Sequence, residues 1–446
     1  MKIKNKHLSS AQIIIFGFGG LILTGTLLLM LPFATTAPGS ASFVDCLFTA
    51  TSASCVTGLI VGDTATTWTL FGKIVIITLI QIGGMGVVTM AVALTVASGR
   101  KIGLSARSTM QESISAHNVG GIVRLTGFII KTSICIELIG AIMLAPSFIK
   151  EFGILKGVGY SLFHSISAFC NAGFDLMGVK GKYSSLTYFV GNGSVNFTIC
   201  MLITLGGLGF LTWDDIKNHK FNFKRYRLQS QIAIVTSAVL VVLSILYFGL
   251  FEYSRPEWAD FTFKEKFWAT IFTAVTPRTA GFNTTDYNLL TESGKMFMIV
   301  LMLIGGCPGS TAGGLKTATI ALLFINAFST FKRSDSVTAF GRRISDDTVR
   351  TAATLLLMYI TLFLTGALII SRVENIPLLT CMFETASAVG TVGLTLGITP
   401  GLGMISKLIL TALMFLGRVG GLTLIYATVK NTNNYAKLPL EKLTVG

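Results

Sequence analysis

Acidic residues are scarce, with 20 Asp and Glu in 446 residues against 35 Lys and Arg. Charged side chains of both signs make up only 12% of the chain, about half of what a soluble domain carries. That excludes an ordinary soluble enzyme. Disorder is excluded as well, because 52% of the residues are hydrophobic. The four histidines (His7, His117, His164, His219) show no ligand spacing. The seven cysteines (Cys46, Cys55, Cys135, Cys170, Cys200, Cys307, Cys381) contain no CxxC pair, and several sit in apolar runs, where Cys acts as a small hydrophobe. Neither a disulfide framework nor a zinc site is supported. No aromatic-studded basic stretch occurs, which argues against nucleic acid as a partner. The apolar runs hold no nucleophile–base set and no paired aspartates, so the chain is not read as an enzyme.

What is abundant is apolar length, enough for about eight spans of roughly 20 residues in a lipid bilayer. The first run, 11–33, is too long for a signal-peptide core and lacks a cleavage site, so it reads as a retained span. The basic residues cluster in alternate short connections. Lys2, Lys4 and Lys6 begin the chain; Arg100, Lys101, Arg107 and Arg124 follow, then Lys217, Lys220, Lys224, Arg225 and Arg227. Lys332, Arg333, Arg342, Arg343 and Arg350 form the next group, and Lys430, Lys437 and Lys442 the last. The connections between them carry acids such as Glu252, Glu257, Asp260 and Glu265. An excess of Lys and Arg marks the cytoplasmic side. The expectation is a multi-pass cell-membrane protein with both termini in the cytoplasm.

Four short segments align without gaps on one glycine: FTATSASCVTGL, FHSISAFCNAGF, IFTAVTPRTAGF and FETASAVGTVGL. The shared glycines are Gly58, Gly173, Gly281 and Gly393, about 110 residues apart. Each ends a stretch of roughly 12 helix-compatible residues, too short to cross a bilayer and suited to a re-entrant half-helix. An apolar run precedes each segment and another follows it. The following runs repeat a glycine cluster: IGGMG at 82–86, LGGLG at 205–209, IGGCPG at 304–309 and LGRVG at 416–420. These clusters read equally as helix-packing positions, where small residues allow close approach. The fold expected is an all-α polytopic membrane protein of eight spans. Its four repeats of span, half-helix, loop and span (1–100, 101–220, 221–335 and 336–446) surround a pseudo-fourfold pore axis.

Four loops at membrane depth must be buried or line water. Their triplets are Val56-Thr57-Gly58, Asn171-Ala172-Gly173, Thr279-Ala280-Gly281 and Thr391-Val392-Gly393. With such side chains the polar groups on offer are main-chain carbonyls, and rings of carbonyls replace the hydration shell of a monovalent cation. Each half-helix precedes its loop, so its negative C-terminal pole faces the centre, which favours a cation. Arg278 in the third loop then has to turn away from the axis, toward a carboxylate such as Asp286 or Glu384.

With these loops the whole chain resembles the membrane subunits of the Trk/Ktr/HKT potassium-transporter superfamily, of the Ktr type that lacks the extra N-terminal spans of Trk. Only Thr391-Val392-Gly393 keeps the TVG of a potassium-channel filter. The resemblance implies potassium uptake, with K+ held at the twelve residues of the four triplets and no covalently bound cofactor. All four family glycines are present, including Gly58, where a serine in some plant relatives accompanies sodium selectivity. The resemblance further implies a homodimer of complete pores docked on a cytoplasmic ring of nucleotide-binding regulatory subunits. Nucleotide is then expected only on that partner, and sodium as a stimulating ion. A sodium-selective or sodium-coupled transporter of the same superfamily stays open, as does an unrelated secondary transporter with a midplane site.

Two features read as a gate. In the third repeat the second apolar run is interrupted by GGCPGSTAGG, where Pro308 and its small neighbours make a continuous helix unfavourable. A broken helix with an intramembrane loop is expected, carrying Gly305, Gly306, Pro308, Gly309, Ser310, Thr311, Gly313, Gly314 and Lys316. Only this repeat has an obvious break. The segment mimics a phosphate-binding loop, but its spacing is one residue too long and no strand precedes it. Arg418 takes the place of the second cluster glycine (Gly84, Gly207 and Gly306 elsewhere). A charge near the bilayer centre costs at least about 2.5–3.5 kcal/mol, so Arg418 reads as an electrostatic barrier on the pathway or as half of a buried ion pair. Lys131 and Glu137 are six residues apart and do not share a helical face. Glu137 faces either a dimer contact or the bundle interior. His164 is placed ahead of its half-helix as a local hydrogen-bonding residue.

Overall fold

The computed structural model describes residues 9–98, 103–113, 121–220, 222–421 and 423. The basic residues near both chain ends, Arg100, Lys101, His7 and His117 lie outside the described residues. The helices follow the repeated pattern of the sequence. The first group is α1 (Ser10–Leu29), the half-helix α2 (Phe43–Ser54), the short α3 (Thr64–Thr67), α4 (Leu70–Met85) and α5 (Val87–Ala97), followed by a connecting helix α6 (Leu104–Ser113). Next come α7 (Ile122–Phe152), the half-helix α8 (Ile154–Phe169), α9 (Gly193–Gly207) and α10 (Phe210–His219). The third group is α11 (Leu228–Tyr247), the half-helix α12 (Phe263–Val275), α13 (Glu292–Leu303) and α14 (Thr317–Phe331). The last is α15 (Asp346–Glu374), the half-helix α16 (Leu378–Gly390) and α17 (Met404–Val419). A small hairpin pairs β1 (Thr338–Ala339) with β2 (Arg342–Arg343). Its two turn residues, Phe340 and Gly341, both take positive φ, as a two-residue hairpin turn requires.

Local chemistry starts the helices where the sequence places them. A capping box opens α1 (Ser9 with Gln12), α2 (Ser42 with Asp45) and α12 (Thr262 with Glu265). Each box satisfies two backbone donors that a helix N-terminus leaves free. Four helices are long and apolar enough to cross a membrane: α1, α7, α11 continued to Glu252, and α15. Two bent pairs pass the same test together, α4 with α5 and α9 with α10. Large apolar side chains such as Leu27, Ile142 and Leu357 are exposed on these helices, as a lipid-facing surface requires.

Two expectations need correction here. The break in the second span is not confined to the third repeat. The first bends by 93° after Met85 and the second by 92° around Leu208–Gly209. At both bends, and at the end of α17, the last cluster glycine (Gly86, Gly209, Gly420) has a φ of 87–88°. The glycine clusters allow this conformation because only glycine adopts it without strain. Second, α8 runs for 16 residues and already contains His164, so His164 does not precede its half-helix. A tight turn at Gly153 (φ 79°) folds α8 back along α7, and Gly157 permits the close packing against Ile149.

The core has two apolar parts. One draws mainly on residues up to Phe210, the other mainly on residues after Phe248. The half-helix α2 feeds both, with Cys46 and Ala50 in the first and Phe48 in the second, where its C-cap Cys55 also lies.

Candidate ion pathway

The four glycine loops meet. A Cβ built on Gly58 would stand 2.5 Å from Ala172 O, one on Gly173 2.8 Å from Ala280 O, and one on Gly281 2.5 Å from Val392 O. A Cβ on Gly393 would collide with Thr57 O. Each glycine thus abuts the next loop in chain order, and the last abuts the first, closing a ring. No side chain larger than hydrogen fits at these four positions.

The backbone of the loops alternates. Val56, Asn171, Thr279 and Thr391 have φ between 51° and 66°, and the glycines two residues on have φ between 68° and 96°. Left-handed φ at non-glycine residues is uncommon and costly, and here it recurs at one register in every repeat. The residue between, Thr57, Ala172, Ala280 or Val392, is buried. Outside the ring a cavity of about 90 Å3 is lined by all four glycines together with Asp175 and Thr395. The half-helices α2, α8, α12 and α16 each end at a loop, so four negative helix poles lie beside the ring.

Hydroxyl groups fix the loops. Gly58 N donates to Ser52 Oγ at 3.1 Å, and Gly393 N donates to Ser387 Oγ at 2.9 Å. In the second loop Ser167 Oγ donates to Phe174 O at 2.7 Å, and in the third Thr276 Oγ1 donates to Phe282 O at 2.6 Å. These four residues were not singled out by the sequence reading. The aligned segments do carry a signal, since serine stands six residues before the glycine in three of them. Glu384 was likewise not singled out for this task. It is buried and accepts from Thr395 Oγ1, from Thr399 Oγ1 at 2.8 Å and from Leu396 N at 3.1 Å. The carboxylate therefore fixes the segment that leaves the fourth loop.

Arg278 does not reach a carboxylate. It is buried and donates to Ser237 Oγ at 2.9 Å, while Asp286 accepts from Asn288 N and Glu384 is used as above. The guanidinium turns away from the ring, toward α11, and finds a hydroxyl there. Glu137 faces the interior, accepting from Gln81 Nε2 at 3.0 and 3.2 Å. His164 accepts from Leu176 N on Nε2 and meets Tyr160 O with Nδ1.

The glycine clusters seat the second spans against the ends of the half-helices. A Cβ on Gly83 would collide with Ser54 O, one on Gly206 with Phe169 O, and one on Gly417 with Val389 O. These carbonyls occupy one register, four residues before the loop glycine. Close packing is therefore the structural role of these three glycines.

Between α13 and α14, residues 304–316 form an irregular loop packed against the ring at the ends of the half-helices. Ile304 pairs with Leu315 in a parallel bridge, and Gly305 N donates to Leu315 O at 2.8 Å. Cys307 N donates to Gly207 O, Thr311 N to Gly206 O, and Thr317 N to Gly306 O. The Thr311 hydroxyl donates to Phe169 O at 3.1 Å, at the end of α8. Gly313 lies against Thr391 and Gly314 against Gly390, so only a glycine edge fits beneath the fourth loop. The Pro308 and Gly309 carbonyls lie beside Gly209, and Gly309 O accepts from Phe210 N at 2.8 Å. Lys316 folds back on the loop, donating to Ala312 O at 2.7 Å and Gly313 O at 3.3 Å.

Arg418 spans this region. Its guanidinium donates to Thr311 O, Gly83 O and, at 3.0 Å, Gly84 O. No carboxylate shares in its hydrogen bonds among the described residues. Below it a cavity of about 240 Å3 is lined by Ser310, Lys316 and Arg418 with residues of α1, α6 and α15.

The repeated half-helices, converging glycine loops and apolar outer surface define a multi-pass membrane protein. The model of the TrkH family, described as a cation transport protein, matches residues 9–437, and the chain belongs to that family. It is 39% identical to the potassium/sodium uptake protein NtpJ of Enterococcus hirae, over 99% of this chain and 98% of that one. It is 37% identical to the Ktr system potassium uptake protein B of Bacillus subtilis, over 100% of this chain and 98% of that one. The crystal structure of the potassium transporter TrkH from Vibrio parahaemolyticus shares the fold, with a TM-score of 0.74 and 19% identity, over 96% of this chain and 87% of that one.

Proposed function

We propose that the chain is the ion-conducting subunit of a potassium uptake system, passing dehydrated K+ through carbonyl rings built from four pseudo-repeats. The observation that carries this reading is the closed succession of glycines 58, 173, 281 and 393, each barred from carrying a Cβ by the neighbouring loop. Alternating left-handed residues in every loop allow successive carbonyls to share a direction, and such oxygens substitute for the water shell of an alkali cation. Eight spans around a pseudo-fourfold axis fit the four groups of helices, the broken second spans being counted once each. The repeats would divide near 100, 220 and 335.

In this reading the 305–316 loop and Arg418 close the inner side of the filter, and a cytoplasmic nucleotide-binding partner moves them. Two copies, each with its own pore, would form the membrane assembly. The names of the Enterococcus and Bacillus relatives support potassium as the transported ion, and the former keeps sodium in view as a second ion. The test is growth and rubidium uptake in a bacterium lacking its own potassium uptake, with the natural chain, Gly58→Ser and Gly393→Ser compared. The natural chain should restore growth at low potassium. The variants should lose it or shift preference toward sodium by roughly tenfold, a change of about 1.4 kcal/mol. Unaltered growth and preference in both variants would overturn the reading.

A further inference from the structure

Away from the glycine ring, α7 and α10 border a crevice of about 810 Å3, lined by Arg124, Phe128, Lys131, Cys135, Leu211 and Lys217 among others. We propose that it binds the phosphate headgroup of an anionic phospholipid from the cytoplasmic leaflet, with the acyl chains lying along α7. The proposal rests on the orientation read from the basic connections, and its test is binding rather than transport.

Charge is the first argument. Arg124, Lys131 and Lys217 are all exposed, and no described residue forms an ion pair with any of them. Lys217 Nζ instead lies 4.6 Å above the Phe128 ring. The fourth cation of the crevice, Arg227, is taken by Asp214 at 3.0 Å and Asp215 at 3.6 Å. Asp214 also accepts from Asn218, so the one carboxylate lining the crevice is already occupied. Three uncompensated cations remain around one crevice.

Depth is the second. Lys131 stands nine residues into α7, about 13–14 Å along the axis from its cytoplasmic end at 1.5 Å per residue. The helix has 31 residues, longer than the roughly 20 that cross the hydrocarbon, so Lys131 lies below the level of the headgroups. An exposed ammonium there is costly unless it reaches up to an anion. Arg124, Phe128, Lys131 and Cys135 recur at helical spacing on one stripe of α7, which gives the lysine that route. Basic crevices between spans on the cytoplasmic side are the usual form of a headgroup site.

Room for the chains is the third. Gly127 lines this crevice and also an apolar one of about 510 Å3 bordered by Met90, Leu94, Ile130 and Ile134. A Cβ on Gly127 would meet nothing within 4 Å. The basic crevice therefore opens at this notch onto an apolar channel on the other side of α7.

The test uses the full chain purified in detergent, with the triple variant Arg124→Gln, Lys131→Gln, Lys217→Gln beside it. Native mass spectrometry should show phosphatidylglycerol retained by the natural chain and about tenfold less by the variant. Added phosphatidylglycerol micelles should raise the thermal midpoint of the natural chain and slow maleimide labelling at Cys135, while phosphatidylcholine and inorganic phosphate do neither. Equal retention by both proteins, or equal protection by inorganic phosphate or phosphatidylcholine, would overturn the proposal. So would a variant that loses its dimer yet keeps the lipid, which would make this face a contact between copies. The lipid arms on the natural chain need no variant, and rubidium flux by the variant in phosphatidylcholine vesicles reports its folding separately.

Discussion

The guanidinium of Arg418, at the end of α17, donates to the carbonyl oxygen of Thr311 in the loop between α13 and α14. The same side chain holds Gly83 O and Gly84 O, so one residue of the fourth repeat ties the third to the first directly beneath the glycine ring. In the proposed reading, a fixed positive charge in that place opposes the passage of a cation.

Arg418→Ala should therefore raise ion flux. Hydrogen bonds to a charged group contribute about 1.5–3 kcal/mol each, so losing the clamp should increase rubidium uptake by roughly tenfold or more in proteoliposomes. Arg418→Lys should fall between the two, because an ammonium lacks the planar fork that reaches several carbonyls. Unchanged flux in Arg418→Ala at normal protein abundance would show a packing role only.

Ser387→Ala should loosen the fourth loop without unfolding the chain. The Gly393 N–H would lose its acceptor in a buried site, at a cost of about 1–3 kcal/mol. The expected outcome is weaker discrimination between rubidium and sodium, read as stronger inhibition of rubidium uptake by sodium. Ser52→Ala should act in the same direction through Gly58. Discrimination equal to the natural chain in both variants would remove these hydroxyls from the account of selectivity.

Gly206→Ala should destabilise, because the added methyl group collides with the Phe169 carbonyl rather than with a movable side chain. Overpacking of this kind costs about 1–3 kcal/mol, and the thermal midpoint in detergent should fall by several degrees. Gly20→Ala in α1, where a Cβ meets nothing within 4 Å, is the control. It should be neutral or slightly stabilising, since alanine favours helix over glycine. A midpoint in Gly206→Ala equal to that of the control would contradict the packing role of the cluster.

How much of this was legible beforehand depends on the kind of interaction. The four loop glycines stood out because a strained backbone conformation restricts residue type at one position, and repetition then exposes it. The irregular segment around Pro308 was legible for the same reason. The bends at Gly86 and Gly209 were not, because glycine inside an apolar run fits helix packing equally well. Arg278 was assigned a carboxylate on charge alone, whereas the structure gives it Ser237. A hydroxyl partner on a distant helix leaves no charge signature in the sequence. Glu384 was named only as a possible partner for Arg278, although its own donors, Thr395 and Thr399, follow within the next fifteen residues.

The succession of glycines closes only where Gly393 meets Thr57 and Gly58, and Lys407 reinforces that seam with an ion pair to Asp45 at 2.9 Å. Partners separated by some 340 to 360 positions cannot meet until nearly the entire polypeptide has been synthesised. A nascent chain halted before the fourth half-helix would hold only three of the four loops, with the first lacking its neighbour. The closing contact is thus the last that the order of synthesis permits, and it falls between the two ends of the described chain.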